Sequence, residues 1–305
     1  MATPPTRDGV SPSCVVLPVG HWPTTFDFLV ARFPRVGAEA WMARFKAGEV
    51  LDESGAPVGL EQPFQAHGRI YYYRAVPEEP RIPFEAEVLY QDNFLVVADK
   101  PHFLPVIPSG RYVQETLLVR LKRDLGLENL APIHRIDRET AGLVIFTTQT
   151  SARRVYQDLF LNQSITKSYE AIASWQPMLN FPLTYRSRLE DHGAHFMQVR
   201  EITGEPNSES RIEVLEVSGT TAKYRLVPVT GRKHQLRAHC AALGIPIRHD
   251  RIYPTLLAEG TDDYARPLQL LAKSIAFRDP LTGEDRNFMS RRSLSLTGNL
   301  DSSRP

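Results

Sequence analysis

The stretch HRIDRET, residues 134–140, sets a carboxylate, Asp137, in a polar loop just ahead of the apolar run Leu143 to Phe146. Loops at strand ends commonly display reactive side chains, so Asp137 is a candidate for acid–base, nucleophilic or charge-stabilising chemistry. Taken alone, an Asp in a loop is more simply read as a turn cap or as a partner for Arg135 or Arg138. A second concentration of reactive groups runs from Arg232 to Arg251, where five Lys or Arg and three His surround a single acid, Asp250. Helical spacing puts Lys233 and Arg237 on one face there, with Leu236, Cys240 and Leu243 on the apolar stripe. Thr230-Gly231 supplies a turn at the helix start, where free backbone N–H groups attract anions such as phosphate. Charge alone is satisfied as well by a solvated basic face. In ITKSYEAIAS, strand alternation places Lys167, Tyr169 and Ala171 on one side.

Two other chemistries are weaker. His134 with Asp137, His239, and the pair His249-Asp250 invite a metal-dependent phosphohydrolase. That reading needs converging ligands on neighbouring helices, and no HExxH or comparable spacing is present, so no metal is expected. No GxSxG elbow supports a serine nucleophile.

These residues need elements to hold them. Residues 1–22, rich in Pro, Ser and Thr, read as an unordered N-terminal segment. TTFDFLVARFP and AEAWMARFKAG read as two short helices, the first capped by Thr24 or Thr25. A hairpin turning at Ser54-Gly55 and the strand RIYYYR follow, so residues 23–76 form a small helix-helix-hairpin module. Residues 77–84 read as a linker. Residues 85–289 form the larger domain, with Phe94 to Ala98 as a buried strand and RYVQETLLVRLKRDLG as a helix stopped by Gly126. Strands and helices alternate without a βαβ rhythm. The expected fold is therefore α+β, with a large mixed, mainly antiparallel sheet flanked by helices around a central catalytic cleft. Residues 290–305 read as a flexible tail.

Composition bounds the class. The chain has 305 residues, 42% hydrophobic and 23% charged, as in ordinary globular proteins. Its net charge of +1, from 36 basic and 35 acidic residues, is small for a nucleic-acid binder, although the basic groups are concentrated. The two cysteines, Cys14 and Cys240, stand far apart, which excludes a disulfide framework and points to a reducing compartment. With no membrane-length apolar run and no secretion signal at the N-terminus, the expectation is a cytoplasmic monomer.

Together these segments resemble the RluA family of pseudouridine synthases, in the family's order. HRIDRETAGLVIF is similar to the family's His-Arg-Leu-Asp signature, and DNFLVVADKPHFLPVIPSG to the strand and Lys-Pro loop before it. TKSYEAIA resembles the Lys-x-Tyr strand, PVTGRKHQLRAHCAALGIPIRHD the Thr-Gly-Arg and His-Gln-Leu-Arg block, and RPLQLLAKSIAFRDPLTGE the closing segment. Ile136, Ala141, His249, Pro254 and Leu271 depart from the usual residues. The resemblance implies an RNA-modifying isomerase that needs no cofactor, acting on ribosomal or transfer RNA. It implies Asp137 as the essential carboxylate, Arg237 as its partner, and Tyr169 as the ring that stacks on uracil. Arg135 would enter the RNA stack vacated by the uridine, while Lys167, Arg232, Lys233, His234 and Gln235 would line the RNA-facing side. The small module resembles an RNA-binding unit, with Arg32, Arg35, Arg44 and Lys46 as candidate phosphate contacts. A non-catalytic RNA-binding protein is the competing expectation.

Overall fold

The computed structural model describes residues 4–34, 36–74, 79–192, 198–257, 260 and 262–296. The chain divides into two compact units, one of residues 1–80, 108–115 and 119–128, the other of residues 81–107, 116–118 and 129–305.

The smaller unit holds β1 (Ser13–Val16), α1 (Thr25–Arg32), α2 (Ala38–Lys46), β2 (Val50–Leu51) and β3 (Arg69–Tyr72). Thr24 caps α1: its hydroxyl accepts the Asp27 N–H at 3.1 Å while the Asp27 carboxylate accepts the Thr24 N–H. Phe28 and Leu29 of α1 meet Trp41 and Phe45 of α2 over Ile70 and Tyr72 of β3. The N-terminal segment is not unordered throughout. Residues 13–16 form β1, which pairs antiparallel with β3 and makes the sheet three-stranded, in the order β1-β3-β2. The unit also takes up residues 108–115 and 119–128, which sequence assigned to the larger domain. The Glu79 carboxylate accepts the N–H groups of Val113, Gln114 and Glu115, and Val10 packs with Val113 and Val119. Arg44 stacks over Trp41 at 5.0 Å and Arg32 over Phe33 at 5.5 Å, while Arg35 lies outside the described residues.

The larger unit is built on β4 (Glu87–Gln91), β5 (Leu95–Lys100), β6 (Ala131–Pro132), β7 (Ala141–Thr147), β8 (Ile165–Ser174), β9 (Leu183–Asp191), β10 (Val199–Ile202), β11 (Ser208–Ser218), β12 (Thr221–Pro228), β13 (Leu270–Arg278) and β14 (Asp285–Met289). The helix α3 (Leu117–Leu125), most of whose residues belong to the smaller unit, is shorter than its apolar stripe suggested; α4 spans Arg153–Leu161 and α5 Gln235–Ala242. The strands make one sheet in the order β10-β9-β11-β12-β8-β13-β7-β5-β4, with β14 beside β13 and β6 beside β7. β7 and β13 run parallel, and the other pairs are antiparallel, as the α+β expectation required. β5 and β7 are buried along their whole length, which is why they read as continuous apolar runs. α4 contributes Tyr156 to a core with Leu95, Leu143 and Ile275, and α5 contributes Leu236 and Cys240 to a second core with Ala171, Ile212 and Tyr224.

The contact between β7 and β13 depends on a glycine. Gly142 has φ +107, and a Cβ there would sit 2.3 Å from the Ala272 carbonyl oxygen. Gly142→Ala should destabilise the protein by at least about 2 kcal/mol, combining backbone strain with overpacking, read as a lower urea midpoint. The final segment also departs from expectation. Ser290 donates to Asp99, and Leu294 packs with Ala141, Ile172 and Leu271, so residues 290–296 are held against the sheet.

Candidate active site

The loop between β6 and β7 carries Asp137 and is fixed by its own backbone. Thr140 N–H donates to the Asp137 carbonyl at 3.2 Å. The Lys100 ammonium, wholly buried at the end of β5, donates to the Arg138 carbonyl at 3.0 Å and to that of Pro101 at 2.9 Å. His102 Nδ1 lies 2.7 Å from the Glu139 carbonyl, and Arg138 grips Asp262 with two N–H groups at 2.7 and 3.0 Å.

α5 brings up the opposite side. His239, near its end, lies fully buried with Nδ1 2.9 Å from Ser210 and Nε2 2.9 Å from Ser208, both on β11. Burial holds its pKa down to about 4, so it is neutral and anchors the helix. Gln235 does the same at the first turn: its amide accepts from Thr230 and from Arg232 N–H, and donates to Glu209 and Ser210. Gln235 is therefore buried and shapes the turn, and among the N–H groups at the helix start that of Arg232 is taken up by the Gln235 amide. The helix starts at Gln235, so Lys233 precedes it and does not share a face with Arg237. The Lys233 side chain is 44% exposed while that of Arg237 is 1% exposed.

Arg237 joins two carboxylates. Its Nε and Nη2 donate to Asp250 at 2.8 and 2.7 Å, a planar two-point pair, and its Nη1 donates to Asp137 Oδ2 at 2.9 Å. Asp250 Oδ1 also accepts the N–H groups of Ile252 and Tyr253. Asp250 thus fixes the guanidinium so that its third corner points at Asp137. The Asp137 side chain keeps 27% of its surface exposed. Burial alone would raise its pKa, but the Arg237 guanidinium, by its charge and its hydrogen bond, leads the groups that outweigh burial and hold the carboxyl below the usual range. A carboxylate locked in its charged form, partly open, is what stabilising a developing cation or attacking a carbon centre demands.

Tyr169, half-buried on β8, packs against the α5 core, and burial together with the Asp137 charge pushes its phenol pKa up. Lys167 lies two residues earlier on the strand, its Nζ 3.8 Å from where a Cβ on Gly231 would sit. Arg135 is exposed, and Arg232 is exposed with its Nε on the Asn207 carbonyl. The three groups of the metal reading have other occupations. His134 Nε2 accepts the Ile145 N–H and its ring stacks on Phe160, His239 is held by serines, and His249 Nδ1 contacts the Pro267 carbonyl. Lys100 and Asp250 belong to the site although the sequence did not mark them as partners of Asp137 and Arg237. Their signals were a lysine closing a strand that begins as an apolar run and the lone acid in a basic stretch.

The larger unit has the fold of pseudouridylate synthases. It is similar to human RNA pseudouridylate synthase domain containing 1, with a TM-score of 0.56 at 21% identity over 70% of this chain and 86% of that one. Human RNA pseudouridylate synthase domain containing 4 gives 0.53 at 23% identity, over 69% and 89%. Residues 94–242 match the family described as RNA pseudouridylate synthase. An uncharacterised RNA pseudouridine synthase of Synechocystis is 30% identical over 236 residues, covering 74% of this chain and 78% of that protein. The dual-specificity RNA pseudouridine synthase RluA of Escherichia coli is 31% identical over 222 residues, covering 70% and 94%. The chain belongs to the RluA-type RNA pseudouridine synthases, which are isomerases. Among the described residues no helix is long and apolar enough to cross a membrane.

Proposed function

We propose that the protein isomerises specific uridines in structured RNA through the Asp137 carboxylate, with ribosomal RNA favoured over transfer RNA. The observation that carries this reading is the 2.9 Å contact from Arg237 to Asp137 Oδ2, backed by the buried Arg237–Asp250 pair. In the reaction the bond from uracil N1 to ribose C1′ breaks, the base turns, and C5 bonds to C1′. The C5 proton then leaves and N1 acquires one. Positive charge develops at C1′ as the first bond breaks, and the charged Asp137 stabilises or captures it. The uridine must leave its stack, at a cost of a few kcal/mol. Tyr169 offsets much of that cost by stacking, which contributes ~1–3 kcal/mol per base. Its raised pKa keeps the phenol neutral, as a stacking ring requires. Exposed Arg135, Arg232 and Lys233 supply phosphate contacts. The chemistry calls for no cofactor or metal, and the protein works as a cytoplasmic monomer.

The test uses RNA carrying tritium at uridine C5. The purified protein should release tritium to water, and total RNA from cells lacking it should lose pseudouridine at one or a few positions. Tight RNA binding without tritium release would instead favour the non-catalytic reading.

A further inference from the structure

His234 stands on the other side of the Asp137 carboxylate from Arg237. Its Nε2 lies 3.7 Å from Oδ1, while Arg237 holds Oδ2 at 2.9 Å. The residue occupies the left-handed region, φ 50, at the position just before α5, a conformation that Asn, Asp and His adopt more readily than other side chains. Its ring meets that of Tyr253 edge-on at 5.8 Å and 90°, and its side chain is only 11% exposed. We infer that His234 is a positioning residue for catalysis, an uncharged N–H donor that fixes the free oxygen of Asp137 while Arg237 fixes the other. This rests on Asp137 being the catalytic carboxylate.

The proton inventory supports the assignment. The Tyr253 hydroxyl accepts the Val199 N–H at 2.7 Å and has one hydrogen to give. It lies 3.2 Å from the Val199 carbonyl and 3.3 Å from His234 Nδ1. If the hydrogen goes to Nδ1, a neutral imidazole carries its own hydrogen on Nε2, aimed at Oδ1. If it goes to Val199, a lone pair on Nε2 faces a carboxylate, which is repulsive. The Asp137 charge selects the first arrangement. Apo contacts of this kind are often long and tighten once substrate is bound.

The groups facing His234 are Asp137 on the loop before β7, Lys233 and Arg237 on either side of it in sequence, and Asp250 and Tyr253 after α5. Burial lowers the imidazole pKa, Asp137 and Asp250 oppose this, and Arg237 and Lys233 reinforce it. The ring is therefore neutral at pH 7 and does not cancel the carboxylate's charge. At lower pH it becomes a second cation beside Asp137, and the carboxylate, already facing Arg237, attracts the positive charge developing at C1′ less strongly.

The test compares native protein, Asp137→Asn, His234→Asn and His234→Gln in C5 tritium release between about pH 5 and 8.5. Asn tolerates the left-handed backbone and replaces only Nδ1, whereas the Gln amide reaches the position of Nε2. His234→Asn should lose about 10- to 100-fold in kcat, the worth of one donor to a charged group, with KM nearly unchanged. His234→Gln should recover most of that rate and lack the native decline at acid pH. Equal rates for the two variants, whether both high or both low, would overturn the inference. So would a loss confined to KM, which would mark His234 as an RNA contact. Silence from the native protein would instead sink the reading of Asp137 on which the inference rests.

Discussion

Asp137→Asn should lower kcat/KM for uridine isomerisation by at least about a thousandfold while the protein stays folded. Asn keeps the size and one acceptor of Asp but carries no charge. Two unit charges about 4 Å apart interact by ~4 kcal/mol at an effective dielectric near 20, and each 1.36 kcal/mol is worth tenfold in rate. Losing the charge opposite C1′ therefore removes about three powers of ten, before any loss of covalent capture. The fold should survive because Arg237 retains its two-point pair with Asp250, and the loop keeps the backbone bonds from Thr140 and Lys100. The melting temperature should move by only a few degrees, and RNA binding should persist. The pH response is a second check. The folded pKa of Asp137 is depressed, so its charge and the stability it contributes are present above the ordinary carboxylate range, and are lost only as pH falls below it. Any decline of native activity as pH falls toward the carboxylate range must then arise elsewhere, and His234, whose pKa burial lowers from its ordinary value, is a neighbour that gains a proton as pH falls. A native-like tritium release rate from Asp137→Asn would remove Asp137 from the chemistry.

Much of this arrangement was legible where physics is local. Thr24 or Thr25 ahead of helically spaced apolar residues marked the start of α1, and the apolar runs Phe94 to Ala98 and Leu143 to Phe146 marked the buried strands β5 and β7. Asp137 and Arg237, 100 residues apart, were paired through the family resemblance; spacing alone left Asp137 as a turn cap. What sequence could not give depends on partners distant in the chain. β1 looked like loop because four residues gain a strand's stability only by pairing with β3. α3 appeared longer because the N–H groups at 113–115 find the Glu79 carboxylate instead of a helical turn. His239 stood in sequence only as one histidine of a weak metal reading, and its place shows once Ser187, Ser208 and Ser210, arriving from two strands, surround it. Asp250 was visible as a charge, but only the turn at Ile252 and Tyr253 shows that it aims Arg237.

That aiming makes Arg237 the position where stability and chemistry are most tightly joined, and Arg237→Met should damage both. The side chains of Arg237 and Asp250 are each 1% exposed, so removing the guanidinium strands a buried carboxylate. Breaking such a pair costs about 3–5 kcal/mol. For a unit of this size the loss amounts to a fall of roughly 6–20 °C in melting temperature. Activity should fall as well, because burial, no longer opposed by the guanidinium, drives the Asp137 pKa up. Residual activity should therefore rise with pH where the native rate is already flat. Arg237→Lys should rescue little, since a lysine cannot span both carboxylates in one plane. The double variant Arg237→Met with Asp250→Asn separates the two roles. It removes the stranded charge, so it should recover about 1–2 kcal/mol of stability relative to Arg237→Met. Activity should stay low, because Asp137 still lacks its cation. If the double variant regained native activity along with stability, Arg237 would be a structural anchor alone, and the charge of Asp137 would have to be maintained by its other neighbours, Lys100 among them.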